Sequence, residues 1–198
     1  MAQIDYYLFP LSPFCYLAGL GLEEVATRQG AAIVYKPVQL LRIFEATGTP
    51  QVKDRHPSRQ AYRLKDIARV ARIAGLPVNL RPAFWPTNAA PASAAIVSAQ
   101  AAEGGDLGGL VHAFCRAVWA EDRDIAEDAV VRDMLAAHGF EPALADRGLM
   151  AAMETLQRNT DEALRRGVFG APSYLVGDEV FWGQDRLPHL EAHLAKSA

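Results

Sequence analysis

The chain has 198 residues, of which 51% are hydrophobic, and its formal net charge is -3 with an isoelectric point near 5.9. This length and hydrophobicity suit one domain, or one domain with a large insertion, and exclude global disorder. The acidic balance and the scattered basic residues argue against a nucleic-acid binder. No stretch has the length and flanks of a membrane span or secretion signal, so we expect a soluble, cytoplasmic protein.

The first forty residues predict a strand, a helix and a second strand. Residues 3–9 are apolar and aromatic and predict the first strand, residues 14–28 predict the helix, and residues 33–38 predict the second strand. Gly30 is a typical helix stop. A strand, a crossover and another strand form a βαβ unit, so the two strands should be parallel.

The middle of the chain shows no comparable strand signal. It is rich in helix-forming residues, with Gly or Pro at the borders of each stretch. Five helices are predicted there, at residues 59–74, 92–103, 107–121, 129–138 and 149–166.

The last part of the chain predicts a hairpin and a closing helix. Residues 173–176 and 180–182 predict two short strands joined by a Gly-Asp turn, which makes them antiparallel, and residues 187–194 predict the helix. The segment Gly170-Ala171-Pro172 precedes the hairpin. Its X-Pro bond is a candidate for the cis isomer, because a proline cannot serve a central ladder.

Together these elements predict a thioredoxin-like α/β fold with a large all-helical insertion. We expect residues 1–40 and 165–198 to form the thioredoxin-like domain, and residues 41–164 to form the inserted helical domain. In such a fold the loop at Pro172 lies beside the first strand-to-helix turn. Ser12 and Pro172 should therefore be spatial neighbours.

The segment Ser12-Pro13-Phe14-Cys15 joins the first strand to the first helix. An x-Pro-x-Cys segment at this join is the layout of a thioredoxin-like active site, but here a hydroxyl replaces the leading thiol. Without a thiol at position 12, Cys15 cannot close the usual intramolecular disulfide. We interpret Cys15 and the other cysteine, Cys115, as buried apolar side chains. The spacing of four zinc ligands is absent, so no metal site is predicted.

Three segments carry a resemblance to a known family. FPLSPFCYLA at residues 9–18, VFGAP at residues 168–172 and FWGQDRL at residues 181–187 resemble the 2-hydroxychromene-2-carboxylate isomerases. That group lies close to the kappa-class glutathione transferases among the DsbA-like thioredoxin folds. The resemblance covers nearly the whole chain.

The resemblance implies a glutathione-dependent enzyme, usually a homodimer. Its implied reaction interconverts 2-hydroxychromene-2-carboxylate and trans-o-hydroxybenzylidenepyruvate, an aromatic hydroxylated α-keto acid, in the breakdown of naphthalene-like aromatics. The glutathione thiolate adds to the substrate, the new single bond rotates, and elimination releases glutathione. Glutathione is thus implied as a regenerated cofactor.

The resemblance also implies a glutathione site. Its candidate residues are Ser12, Ala171, Pro172, Gln184, Asp185 and Arg186. The hydroxyl of catalytic Ser12, at a helix N-terminus, would stabilise the thiolate, and the backbone of Ala171 would pair with the cysteinyl backbone. The last helix would hold the γ-glutamyl group, with Asp185 on its ammonium. The alternatives are plain helix caps at Ser12 and Asp185, a ligand-free turn at Pro172, and a mixed disulfide between glutathione and Cys15.

A second substrate with a carboxylate needs its own cation. Basic residues cluster at the border between the loop and the first long helix, before Tyr62, namely Lys53, Arg55, His56 and Arg59. Arg59 falls where relatives supply a lysine, and Thr49 falls where they place an asparagine. Trp85 would wall an aromatic pocket, with Asn88 beside it. The alternatives are a solvated basic loop, a tryptophan in the core or at an interface, and an asparagine helix cap.

Three other functions remain open. A kappa-like glutathione transferase, which releases the conjugate, needs the same activated thiolate. A DsbA-like thiol oxidant is disfavoured by Ser12, because only a thiol there can attack. A non-catalytic thioredoxin-like binding protein is disfavoured because Ser12, Pro172 and Asp185 are all retained.

Overall fold

A four-stranded mixed sheet forms the centre of the computed structural model, which describes residues 1–197. The strand order is β2-β1-β3-β4. The strands are β1 (Gln3–Leu8), β2 (Ala32–Pro37), β3 (Ser173–Val176) and β4 (Glu179–Trp182). β1 pairs with β2 in parallel, while β3 pairs antiparallel with both β1 and β4. The predicted parallel βαβ pair and the antiparallel hairpin at Gly177-Asp178 are both confirmed.

Helices lie in the predicted middle region of the chain, between β1 and β2, and after β4. They are α1 (Pro13–Leu17), α2 (Gly21–Gln29), α3 (Leu40–Thr47), α4 (Pro57–Ala74), α5 (Ala90–Ala102), α6 (Leu107–Trp119), α7 (Asp128–Ala137), α8 (Leu149–Arg165) and α9 (Leu187–Ser197). Short 3₁₀ turns cover Val52–Asp54, Pro142–Ala145 and Gln184–Arg186. The five helices predicted in the middle of the chain are confirmed, with shifted ends.

The single helix predicted over residues 14–28 is wrong, because the chain forms the two helices α1 and α2 instead. Gly19 lies between them with a φ of 59°, in the left-handed region that ends a right-handed helix. α3 was not predicted at all. It is short, ends at Gly48 with a φ of 70°, and packs on α8.

Helices cover both faces of the sheet. Successive side chains of a strand point to opposite faces, so β1 contributes residues to a cluster on each side. Ile4 and Leu8 of β1 are fully buried in the largest apolar cluster, together with Phe114 and Trp119 of α6. Tyr7 belongs to a second cluster, which also holds Ile43 of α3 and Ala163 of α8. The helices between β2 and β3 therefore pack directly against the sheet, and the division of the chain into two domains stays a prediction.

Candidate active site

Ser12 lies in the loop after β1 and caps α1. Its Oγ donates a hydrogen bond to the Ala171 carbonyl oxygen at 3.0 Å and accepts one from the Cys15 amide at 3.4 Å. The Ala171-Pro172 peptide bond is cis, as the sequence predicted. Ser12 is 5% exposed and lies 159 residues from Ala171 along the chain. The predicted proximity of Ser12 to the Pro172 loop is thus confirmed.

The short length of α1 changes the electrostatic argument for Ser12. A macrodipole builds up from aligned peptide units, and α1 has only five residues. The side-chain hydroxyl is therefore the main donor that Ser12 offers to an anion, and the helix terminus adds little. That hydroxyl carries a single proton, which it now gives to the Ala171 carbonyl.

Cys15 lies on the buried side of the same turn. Its side chain is 3% exposed, and burial raises the pKa of the Cys15 thiol to about 11, although the Phe9 backbone and the side chains of Ser12 and Tyr6 partly oppose this rise. Burial raises the pKa of the Cys115 thiol well above its ordinary value, and Cys15 raises it further. Both cysteines are free and buried. Their interpretation as apolar side chains is confirmed, and both stay protonated at neutral pH.

The Gln184–Arg186 turn lies next to the Ser12 region. The three residues form a 3₁₀ turn ahead of α9 and not its first α-helical turn. The turn lies against α1, and the Gly183 amide donates to the Pro172 carbonyl oxygen at 3.0 Å. Asp185 accepts a hydrogen bond from Arg186 at 2.6 Å, and both side chains are exposed. The fold therefore brings Ser12, the Pro172 loop and this turn together.

Trp85 connects the Ser12 loop to a neighbouring cavity. Its Nε1 donates to the Leu11 carbonyl oxygen at 3.1 Å, one residue before Ser12. Its ring lies 5.7 Å from that of Trp119 between centroids, and the Trp85-Pro86 bond is cis. Trp85 and Trp119 both line a cavity of about 270 Å³, which we call the arginine cavity. Its polar lining consists of Gln60, Arg63 and Arg81.

Sequence reasoning missed Arg63. Its guanidinium carbon lies 5.3 Å from the Trp85 ring centroid and 5.8 Å from that of Trp119. Burial, together with the charge of Arg55, lowers the pKa of Arg63 to about 10, which still leaves the group charged at neutral pH. Arg63 follows Arg59 by four residues on α4, so the two share a helix face. That spacing was the available signal.

The comparisons with known proteins agree with this architecture. Residues 3–195 match the family model described as DSBA-like thioredoxin domain. A 2-hydroxychromene-2-carboxylate isomerase of Pseudomonas putida is 31% identical over 201 residues, which is 98% of this chain and 94% of the relative. The chain belongs to the 2-hydroxychromene-2-carboxylate isomerase family. The resemblance based on three short segments is therefore confirmed.

Two further relatives extend the comparison. A solved structure of 2-hydroxychromene-2-carboxylate isomerase superimposes with a TM-score of 0.77 at 29% identity, covering 98% of this chain and 95% of that one. A glutathione S-transferase kappa 2 of Caenorhabditis elegans is 23% identical over 208 residues, which is 98% of this chain and 92% of the relative. Both relatives align with almost the full length of this member of the isomerase family.

The other substrate residues predicted for this member of the isomerase family lie apart from the arginine cavity. Arg59 is exposed in the first turns of α4. Thr49 shares a hydrogen bond with Thr47 at 3.1 Å between their hydroxyl oxygens. Asn88 accepts a hydrogen bond from the Ala90 amide at 3.0 Å and lines a different cavity. The structure thus places Trp85 against Leu11, the residue before Ser12, while the substrate roles of Trp85, Arg59, Thr49 and Asn88 stay predictions.

The described residues also contain no helix long and apolar enough to cross a membrane. Within residues 1–197, no group of three or more His, Cys, Asp or Glu side chains is arranged to hold a metal ion.

Proposed function

We propose that this protein is a glutathione-dependent isomerase of the 2-hydroxychromene-2-carboxylate type. The hydrogen bond from Ser12 to the Ala171 carbonyl carries the proposal, because it puts a hydroxyl donor against the cis-proline loop where a peptide thiol can bind. The names of the isomerase relatives support the reaction type, and the kappa transferase relative supports glutathione as the thiol.

The residues at this site fit a γ-glutamyl-cysteinyl peptide. Ala171 presents a carbonyl oxygen that accepts only the Ser12 side chain's hydrogen bond among the described contacts. Asp185 is exposed and its only described partner is its neighbour Arg186, so the carboxylate has room to accept an ammonium group. Glutathione, when bound, would supply the nucleophilic sulfur for the isomerisation.

Ser12 and Ala171 would work as a pair in binding. A carbonyl oxygen has two lone pairs, so Ala171 can accept a backbone N–H of the peptide in addition to, or in place of, the Ser12 hydroxyl. Once the Ala171 carbonyl is satisfied by that N–H, the Ser12 proton is free to turn toward the sulfur. Ser12 then donates a hydrogen bond that favours the thiolate over the thiol, which lowers the pKa of the bound thiol.

The proposal is tested first by binding and then by turnover. Isothermal titration calorimetry should show glutathione binding to the wild-type protein, and an absorbance assay with 2-hydroxychromene-2-carboxylate should show conversion at catalytic glutathione. We expect Ser12→Ala to lower turnover by about 100-fold, the usual effect of removing a preorganised donor. Cys15→Ala is the matched control on the same turn and should retain turnover within about threefold. A wild-type protein that binds no glutathione would refute the proposal.

A kappa-like transferase is the second candidate, because the kappa relative matches over most of both chains. Thiol consumption separates the two functions: an isomerase converts substrate with no loss of free thiol, whereas a transferase uses one thiol for each product. Thiol oxidation is disfavoured by Ser12, and slow or absent reduction of insulin is the expected result. The homodimer and the cytoplasmic location stay predictions.

A further inference from the structure

The arginine cavity carries positive charge with no acidic side chain to balance it. It lies among α4, the segment before α5 and the end of α6, and Arg63 and Arg81 are its charged lining residues. No Asp or Glu lines it within the described part of the chain. Most of the remaining lining is apolar or aromatic, including Trp85 and Trp119. Such a cavity suits a ligand that is both planar and anionic.

Arg63 is the central group of this cavity. It is half-buried, and within residues 1–197 it forms no ion pair or hydrogen bond. Removing a guanidinium from water without a counter-ion is unfavourable, and the charge of Arg55 adds to that cost. The two indole faces compensate only in part, since a cation over an aromatic ring is a weaker interaction than an ion pair. A bound carboxylate would supply the missing counter-ion.

The position of the cavity relates it to the Ser12 site. The indole of Trp85 lines the cavity and also holds the Leu11 carbonyl, and Leu11 is followed directly by Ser12. A ligand whose ring lies along Trp85 would therefore lie next to the loop that carries the Ser12 hydroxyl. The orientation of Trp85 is set by that hydrogen bond, so this side of the cavity is preformed.

We propose that Arg63, which lies against the rings of both Trp85 and Trp119, binds the carboxylate of a planar aromatic substrate and determines the specificity of the site for acids. The flat guanidinium offers two parallel N–H donors to a carboxylate, and the indoles offer surfaces on which the substrate ring can stack. The role in specificity rests on the proposed isomerase function, while the binding of an aromatic carboxylate does not require glutathione. Arg59 is the competing cation, but it is exposed and lies outside the cavity.

The test compares an aromatic acid with its neutral amide. Cinnamate and cinnamamide have the same shape and differ in charge, and each is titrated into the protein without glutathione by calorimetry. We expect the wild-type protein to prefer cinnamate by about tenfold, the usual effect of a hydrogen bond to a charged group. Arg63→Gln should abolish that preference and leave the affinity for cinnamamide within about twofold. Arg72→Gln, which removes an exposed arginine of the same helix, is the matched control and should keep the full preference.

A lysine variant keeps the proposal testable if the Arg63→Gln protein does not fold. Arg63→Lys keeps the charge but loses the planar fork, so a folded protein with a severalfold smaller preference supports the inference. An unchanged preference in Arg63→Gln or in Arg63→Lys overturns it. So does loss of the preference in Arg59→Gln alone, or a wild-type protein that binds no cinnamate.

The result of the cinnamate test can be distinguished from the result of the test for the proposed function. Glutathione binding is measured in its own titration. Cinnamate preference that depends on Arg63, in a protein that does not bind glutathione, would support the arginine cavity and refute the glutathione proposal. Glutathione binding with no cinnamate preference would support the glutathione proposal and refute the role of the arginine cavity.

Discussion

Two cavities of the protein have linings of opposite charge, and only in one of them are the charged side chains paired within the chain. The first, which we call the acidic cavity, has a volume of about 370 Å³ and is lined by Asp128 and Asp146. Both carboxylates form ion pairs with Arg132, at 2.6 Å in the case of Asp128. Arg63 in the arginine cavity has no such partner within the described residues. A carboxylate already paired within the chain needs no ligand, whereas a half-buried cation without a counter-ion attracts one.

The two cavities also differ in what surrounds them. The acidic cavity lies between the start of α5 and residues of α7 and α8, with Asn88 at its edge. The arginine cavity shares Trp85 with the loop of Ser12. The larger cavity is therefore not the better candidate for the substrate, because charge and position favour the smaller one.

Among the substitutions that test the difference between the two cavities, those at Trp85 should have the largest effect. We expect Trp85→Ala to lower the free energy of unfolding by about 2–3 kcal/mol, because it removes a ring packed on Trp119. It should also lower cinnamate affinity by more than about tenfold. Trp85→Phe, which retains a ring and loses the hydrogen bond to Leu11, should cost about 1 kcal/mol. Urea denaturation and calorimetry measure the two effects, and full cinnamate affinity in a folded Trp85→Ala protein would contradict the role of the arginine cavity.

A smaller effect is expected from Arg132 in the acidic cavity. Arg132→Gln removes the partner of Asp128 and Asp146, so we expect a modest fall in melting temperature. Cinnamate affinity should stay within about twofold of the wild-type value, since a surface ion pair elsewhere does not affect a separate site. Thermal denaturation with a parallel titration checks both. Weaker cinnamate binding in Arg132→Gln would show that the two cavities are coupled.

The smallest effect should come from Asn88. Asn88→Ala removes the acceptor of the Ala90 amide at the start of α5, which we expect to cost about 1 kcal/mol or less. Because Asn88 lines the acidic cavity, its loss should leave the affinity for cinnamate within about twofold. Urea denaturation and calorimetry are again the measurements. A clear loss of cinnamate affinity would instead support the substrate role that the sequence predicted for Asn88.

Local features of the chain were predictable, while features that depend on packing were not. The turn at Gly177-Asp178 and the cis bond before Pro172 follow from residues that are adjacent in sequence. The break at Gly19 was missed because one glycine inside an otherwise helical pattern does not by itself end a helix. α3 was missed because an eight-residue helix is marginal alone and is stabilised here by packing on α8.

In the candidate site, too, some residues were predictable from the local sequence and others depend on packing. Ser12 was identified from its position before Pro13 and from the resemblance to the isomerases. Arg63 was not, because its environment depends on Trp85 and Trp119, which lie on other elements. Arg59 was chosen from its position in the chain, and its exposure became visible only in the fold.

The sequence by itself determined the strands, the hairpin turn and the hydroxyl in place of a thiol at position 12, because each depends on residues within a few positions. Only the tertiary structure decided that this hydroxyl meets the Ala171 carbonyl, and that Arg63, which has no ion-pair partner among the described residues, lies against Trp85 and Trp119. Burial and pairing are properties of contacts between distant segments, and no local pattern encodes which segments will meet.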